Sequence, residues 1–239
     1  MRQVKDVRTS RLLVAYTFAP PLYLSAERGR RLFEGLLGSF PELVGTPPLI
    51  IEDQQALFLR AAPPGRPPEP LCQLVNDSIQ VSLQNPDPNQ VMEFAPLLKR
   101  VYELLRDIYQ VQRVCRAGRV HNKGYVMADG KEDARAMVRD LLTKLAAEQA
   151  AAVQLQFSRR DGPYNVNLSI VPASTSVSNV GDELPLHDVI LTGSDVNNWD
   201  VSGDVLWHQV EEILARGERH ADEEVPQFLR DQLGVDAQS

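Results

Sequence analysis

Cysteine is scarce, aromatic residues are few and basic residues are outnumbered. The 239 residues include two cysteines, Cys72 and Cys115. That is too few for a disulfide-stapled secreted scaffold, and a chain of this length buries enough core without one. Both are expected to act as small buried hydrophobes. The formal net charge of -7 excludes a globally basic nucleic-acid binder but not a local basic face. No apolar run approaches the ~20 residues that a membrane helix requires. The segment 11-RLLVAYTFAPPLYLSA-26 echoes a signal peptide, but Tyr16, Thr17 and Pro20-Pro21 interrupt it. An opening β-strand explains it better, and a cytoplasmic location without membrane attachment is expected.

Motifs for familiar chemistry are also missing. There is no phosphate-cradling GxxxxGK[ST] and no GxSxG elbow. His121, His187, His208 and His220 show no ligand spacing on one helix. The run 195-DVNNWDVSGD-204 lacks the glycine and glutamate of a calcium loop, and a turn into a capped helix explains Asp200 and Ser202. No metal, no cofactor and no catalytic residue are assigned, and a non-enzymatic protein is expected.

What is present is regular patterning. β-formers dominate 10–19, and Ser25 caps a helix with Leu32, Phe33, Leu36, Leu37 and Phe40 on one stripe. Short strands are expected at 48–52, 55–60, 71–75 and 78–84, the last two turning at Asn76-Asp77. The Pro-rich 61-AAPPGRPPEP-70 reads as a surface loop. Phe94, Leu97, Leu98, Val101, Leu104, Leu105, Ile108 and Tyr109 make one continuous helical stripe, and Pro96 places the helix start near Phe94. A strand over 112–127 and a helix opening at 129–133 follow. Strands at 152–158 and 164–171 are expected around Arg159-Arg160-Asp161-Gly162, then a strand at 186–194 and a helix at 202–216. Val225, Phe228, Leu229 and Leu233 give the tail one apolar face, which docks on its own domain or on a partner.

This order predicts an α+β fold of two β-α-β(3-4)-α halves, with antiparallel sheet and long helices on one face. The first half would span 1–111, the second 112–218, and 219–239 would form a short amphipathic tail in the same compact unit. The pattern resembles the half-domains of TATA-binding-protein-like and helix-grip folds, a likeness of topology that carries no function.

The run 111-VQRVCRAGRVHNKGY-125 is the densest in polar chemistry. As a strand it puts Arg113, Cys115, Ala117, Arg119, His121 and Lys123 on one face, and Val114, Arg116, Gly118, Val120 and Asn122 on the other. A bulge near Gly118 would shift that register. Cys115 and His121 lie roughly 20 Å apart along one strand, too far to form a nucleophile pair. Arg113, Arg119, His121 and Lys123 are the candidate ligand- or partner-binding residues on an exposed basic sheet face. Arg116 and Asn122 sit on the apolar-rich face, where a partly buried arginine needs a carboxylate, so they form the candidate structural ion pair. The partner expected is a protein or a small acidic ligand. Nucleic acid is the alternative, an enzyme of unrecognised type is a third reading, and homodimerisation is left open.

Arg116, Gly118, Arg119 and Asn122 resemble the R-x-G-x-R-x-x-N strand of a sporadically distributed group of bacterial and archaeal proteins of about this length. In this sequence the second arginine follows the glycine directly, and Val120-His121 stands where that group usually has an aromatic residue. The group's activity is not established, so the resemblance implies no substrate. Its patchy distribution points, by association alone, to defence-like or toxin–antitoxin-like settings.

Overall fold

The computed structural model describes residues 2–51, 55–60, 70–127, 154–175 and 187–236. The expected helix opening at 129–133, the Pro-rich loop and most of the loop before 187 lie outside the described residues. The fold is mixed α+β with a large antiparallel sheet. Strand β1 (Arg2–Ala19) precedes helix α1 (Ala26–Leu37), which Ser25 caps through the Arg28 N–H at 3.3 Å. Then come β2 (Val44–Ile51), β3 (Gln55–Arg60), β4 (Pro70–Val75) and β5 (Ser78–Gln84). Helix α2 (Pro88–Tyr109) leads to β6 (Arg113–Met127). The remainder is β7 (Leu155–Asp161), β8 (Tyr164–Thr175), β9 (His187–Asn198), α3 (Trp207–Arg219), a π-helical turn (His220–Glu224), α4 (Val225–Leu233) and β10 (Val235–Asp236).

The sheet runs β2-β3-β4-β5-β1-β6-β9-β8-β7, with β10 added to β1. β1 and β6 pair at its centre over Val4–Ala19 and Arg113–Met127. A larger cluster joins Leu12, Val14, Tyr16 and Phe18 of β1 to α1, α2 and α3. A smaller one joins Tyr125, Met127, Ile170 and Ile190 to Val225, Leu229 and Leu233 of α4. The tail's apolar face is therefore docked within the chain. Leu97, Leu98 and Val101 are fully buried. Each gains about 2 kcal/mol from leaving water, and truncating one to alanine costs about 3 kcal/mol.

Three local expectations need correction. Helix α2 begins at Pro88, ahead of Phe94. Asp87 accepts the Gln90 N–H at 3.0 Å and Gln90 accepts the Asp87 N–H at 3.1 Å, a reciprocal cap that starts the helix early and leaves Pro96 inside it. Arg159 and Arg160 belong to β7 and not to its turn, because the pairing runs out to Asp161 opposite Tyr164, leaving Gly162 at φ 58° to reverse the chain. Helix α3 starts at Trp207 and not at 202, because Asp204 is drawn elsewhere. Its carboxylate accepts two bonds from Arg106 at 2.7 and 2.9 Å and the Val114 N–H at 2.8 Å. No described helix is long and apolar enough to cross a membrane.

Candidate functional site

β6 is extended as expected, but its alternation breaks. The pairing with β1 shifts register between Thr17 and Phe18, so Thr17 faces Arg116 while Phe18 faces Val114. Two residues, Cys115 and Arg116, thus stand between the buried Val114 and Ala117. The bulge lies at Cys115, not at Gly118, and it throws Arg113 out of phase with Arg119. The four candidate binding residues do not share one exposed face. Arg113 is half-buried and donates to the Ser202 carbonyl at 2.7 Å. Arg119 and His121 are only 7% and 4% exposed.

The cover comes from α3 and the π turn. The Arg119 guanidinium donates to the Leu214 carbonyl at 2.7 Å and lies 3.7 Å from Glu218. Its stem passes Gly217, where an added Cβ would sit 3.0 Å from Arg119 Cδ. Arg119 thus packs closely under the helix at Gly217, where a Cβ would press on its stem. Lys123 pairs with Asp222. His121 Nε2 lies 3.1 Å from Thr9 Oγ1, and its Nδ1 has no hydrogen-bond partner among the described residues. Burial, with Arg119 and Lys123 nearby, pushes the His121 pKa down to about 4.

Long-range packing adds residues that the sequence did not single out. Ser194 Oγ meets His220 Nδ1 at 2.7 Å, and burial pushes the His220 pKa down to about 4. Arg216, 6% exposed, reaches Asp161 at 2.6 Å and Glu224 at 3.2 Å. On β6 this polar belt stands between Ala117 of the larger cluster and Tyr125 of the smaller one. Its cations have carboxylate partners and its imidazoles are neutral at pH 7. Such an arrangement fixes the C-terminal helices on the sheet and presents no free charge to a ligand.

Arg116 and Asn122 also depart from expectation. Arg116 is exposed, and it donates to Asn197 Oδ1 at 3.1 Å, a neutral acceptor in place of the expected carboxylate. The bulge turns it away from the buried Ala117, so it meets no desolvation that a counter-ion must offset. It heads a ladder across three strands. Asn165 donates to the same Asn197 oxygen at 3.0 Å, and the Asn197 amide donates to Asp195 at 3.2 Å. Asn167 donates to Asp195 at 3.1 Å. Register places Asn122, Gly193 and Ser169 beside the ladder. Two glycines keep this surface low. A Cβ on Gly118 would come within 2.9 Å of Asn197 Cβ, and one on Gly193 within 2.6 Å of Ser169 Oγ. At the rim, Arg160 stacks 3.3 Å above the ring of Trp199, which is 51% exposed.

One signal for this ladder was legible. In 164-YNVNLSIV-171, Val166, Leu168 and Ile170 alternate with Asn165, Asn167 and Ser169, so the amides had to share one face. Trp199 and Arg160 are far apart in sequence, and nothing local announces their contact. Among the described residues, no group of three His, Cys, Asp or Glu side chains clusters as a metal site. No protein-family model matches the chain, and comparison with curated proteins finds no match.

Proposed function

We propose that the protein is a non-enzymatic binding module built of two β-α-β halves. Its helices would lie on one sheet face, leaving the polar face around Arg116, Asn122, Asn165 and Asn167 to hold a partner protein or a small acidic ligand. The strand order supports the two halves: β1 is followed outward by β5 to β2, and β6 outward by β9 to β7. That mirrored order is also what a TATA-binding-protein-like duplication would give. The observation that carries the binding role is the Arg116–Asn197–Asp195–Asn167 ladder. It is a prearranged row of two amides, one guanidinium and the Asp195 carboxylate, anchored on the buried Asn197 and flattened by Gly118 and Gly193. Prearranged donors lose little entropy on binding.

The partner-binding role assigned to Arg113, Arg119, His121 and Lys123 moves to Arg116 and its neighbours, because Arg119 and His121 are buried. A photo-crosslinking amino acid at Gln80 or Gln156, both on the proposed face, should capture a partner in cells. At Glu103 or Glu211, on exposed helix surface, it should not. Crosslinks arising only from the helix positions would overturn the reading.

Nucleic acid is the second reading, and the Arg160–Trp199 stack favours it. An exposed indole under a guanidinium is a platform on which a base can stack. Fluorescence anisotropy with a labelled oligothymidylate decides between the two. Nucleic-acid binding requires retention that falls steeply with salt and is lost in Trp199→Ala. Absence of such binding leaves the protein or acidic-ligand reading.

A further inference from the structure

One edge of β1 is only partly used. Its pairing with β6 spans nearly the whole strand. On the other edge, β5 pairs from Arg11 to Thr17 and β10 pairs only at Arg2 and Gln3. Residues 4–10 therefore present a backbone edge on which no described strand lies. The Asn85 N–H closes the β5 end by donating to the Ser10 carbonyl at 2.9 Å. A cleft of about 520 Å³ opens beside this edge, with Val7, Arg8 and Thr9 on one wall and Asn85, Pro86 and Val91 on the other. Pro86 has no N–H, so that wall is a poor strand partner for β1.

We propose that this slot takes an extended, acidic peptide strand from a partner protein by β-augmentation. A sheet edge recognises an extended backbone, and seven residues give about 23 Å of it. The charge selects the side chains. Lys5, Arg8 and Arg11 face one acid, Asp6, a net of three minus one, or +2, over residues 4–11. Arg8 pairs with Asp6 on its own strand and remains largely exposed. Arg11 Nε is buried and has no described hydrogen-bond partner. Register sets Arg8 and Arg11 on one face of β1, opposite Gly124 and Asn122, and Val7 and Thr9 on the other, opposite Tyr125 and Lys123. The incoming strand would therefore alternate, with carboxylates toward Arg8 and Arg11 and small apolar side chains toward Val7 and Val91.

The test uses two fluorescein-labelled peptides of about eight residues, long enough to span the edge. One alternates Glu with Val and the other alternates Lys with Val. The Glu-Val peptide is expected to bind the full chain and to slow amide hydrogen exchange within residues 4–10. The Lys-Val peptide should not bind. Arg8→Glu, at an exposed position, should keep its circular dichroism and weaken Glu-Val binding about tenfold, since attraction becomes repulsion. Arg116→Glu, at the far end of β6, should leave that binding unchanged, so either site can fail without the other. Four results would each overturn the proposal. They are equal binding of both peptides, no binding, binding without slowed exchange of the 4–10 amides that point away from β6, and slow exchange of those same amides in the free protein. In that last case, dependence on protein concentration identifies a second copy as the occupant, and independence identifies the chain itself.

Discussion

The two histidines of the polar belt should make the fold acid-sensitive in a defined window. His121 and His220 each hold a pKa near 4 in the folded chain, against an ordinary value of 6.5. The unfolded chain therefore binds more protons between those values. Stability is full above about pH 6.5, falls as pH drops toward 4, and levels off below it as far as these groups are concerned. Each shift corresponds to about 3 kcal/mol in full, of which about 2 kcal/mol is lost between roughly pH 7 and pH 4.5. The rest of the chain also responds to pH, so the measurement is a difference. In H121Q, glutamine can keep the Thr9 contact made by Nε2. In H220N, asparagine can keep the Ser194 contact made by Nδ1. Neither replacement titrates. Urea unfolding of the wild type and the double variant at both pH values gives four free energies. The wild type should lose about 4 kcal/mol more than the variant on acidification. Equal losses would show that the two imidazoles keep ordinary pKa values, and the buried, neutral belt would be wrong.

Three further outcomes follow from single contacts. Arg216→Ala should cost about 3 kcal/mol in urea unfolding, since it removes a buried guanidinium that holds Asp161 and Glu224; a cost below about 1 kcal/mol would deny its place at the helix–sheet junction. Gly118→Ala should destabilise by about 2 kcal/mol, because its Cβ would press on Asn197 Cβ, and a neutral result would show that the ladder is loose. Arg116→Met should change stability by less than about 0.5 kcal/mol, as its guanidinium is exposed on a neutral acceptor. A large loss would restore it as a structural ion-pair centre.

The sequence carried the local part of the fold well. The stripe of α2, the Leu32 and Leu36 positions of α1, the Asn76-Asp77 turn and the long strand β6 follow from patterns a few residues wide, whereas Leu37 of the expected α1 stripe is exposed and Phe40 lies past the helix end. Signals in direct competition were harder to rank. The cap at Asp87 and Gln90 outweighed Pro96, and Asp204 chose Arg106 over a helix N-terminus. The site was least legible because both faces of β6 carry polar side chains. Arg116 and Asn122 interrupt the apolar-rich side of Val114 and Val120, so neither face fixes the phase, and one bulge residue at Cys115 decided which arginines point inward. Which face the C-terminal helices cover depends on partners about a hundred residues away, such as Glu218 and Asp222. No periodicity within β6 encodes that choice.

Which face of β6 the chain covers decides where a partner can bind, and single-cysteine labelling measures this directly. In a Cys115→Ser background, with Cys72 buried, cysteines replace Val120 and Asn122 on one face or His121 and Lys123 on the other. Maleimide should modify positions 120 and 122, half-buried on the open face, faster than position 121, which is buried, and position 123, which lies under Asp222. Fast labelling at 121 and 123 with protection at 120 and 122 would put the helices on the opposite face and remove the proposed binding surface.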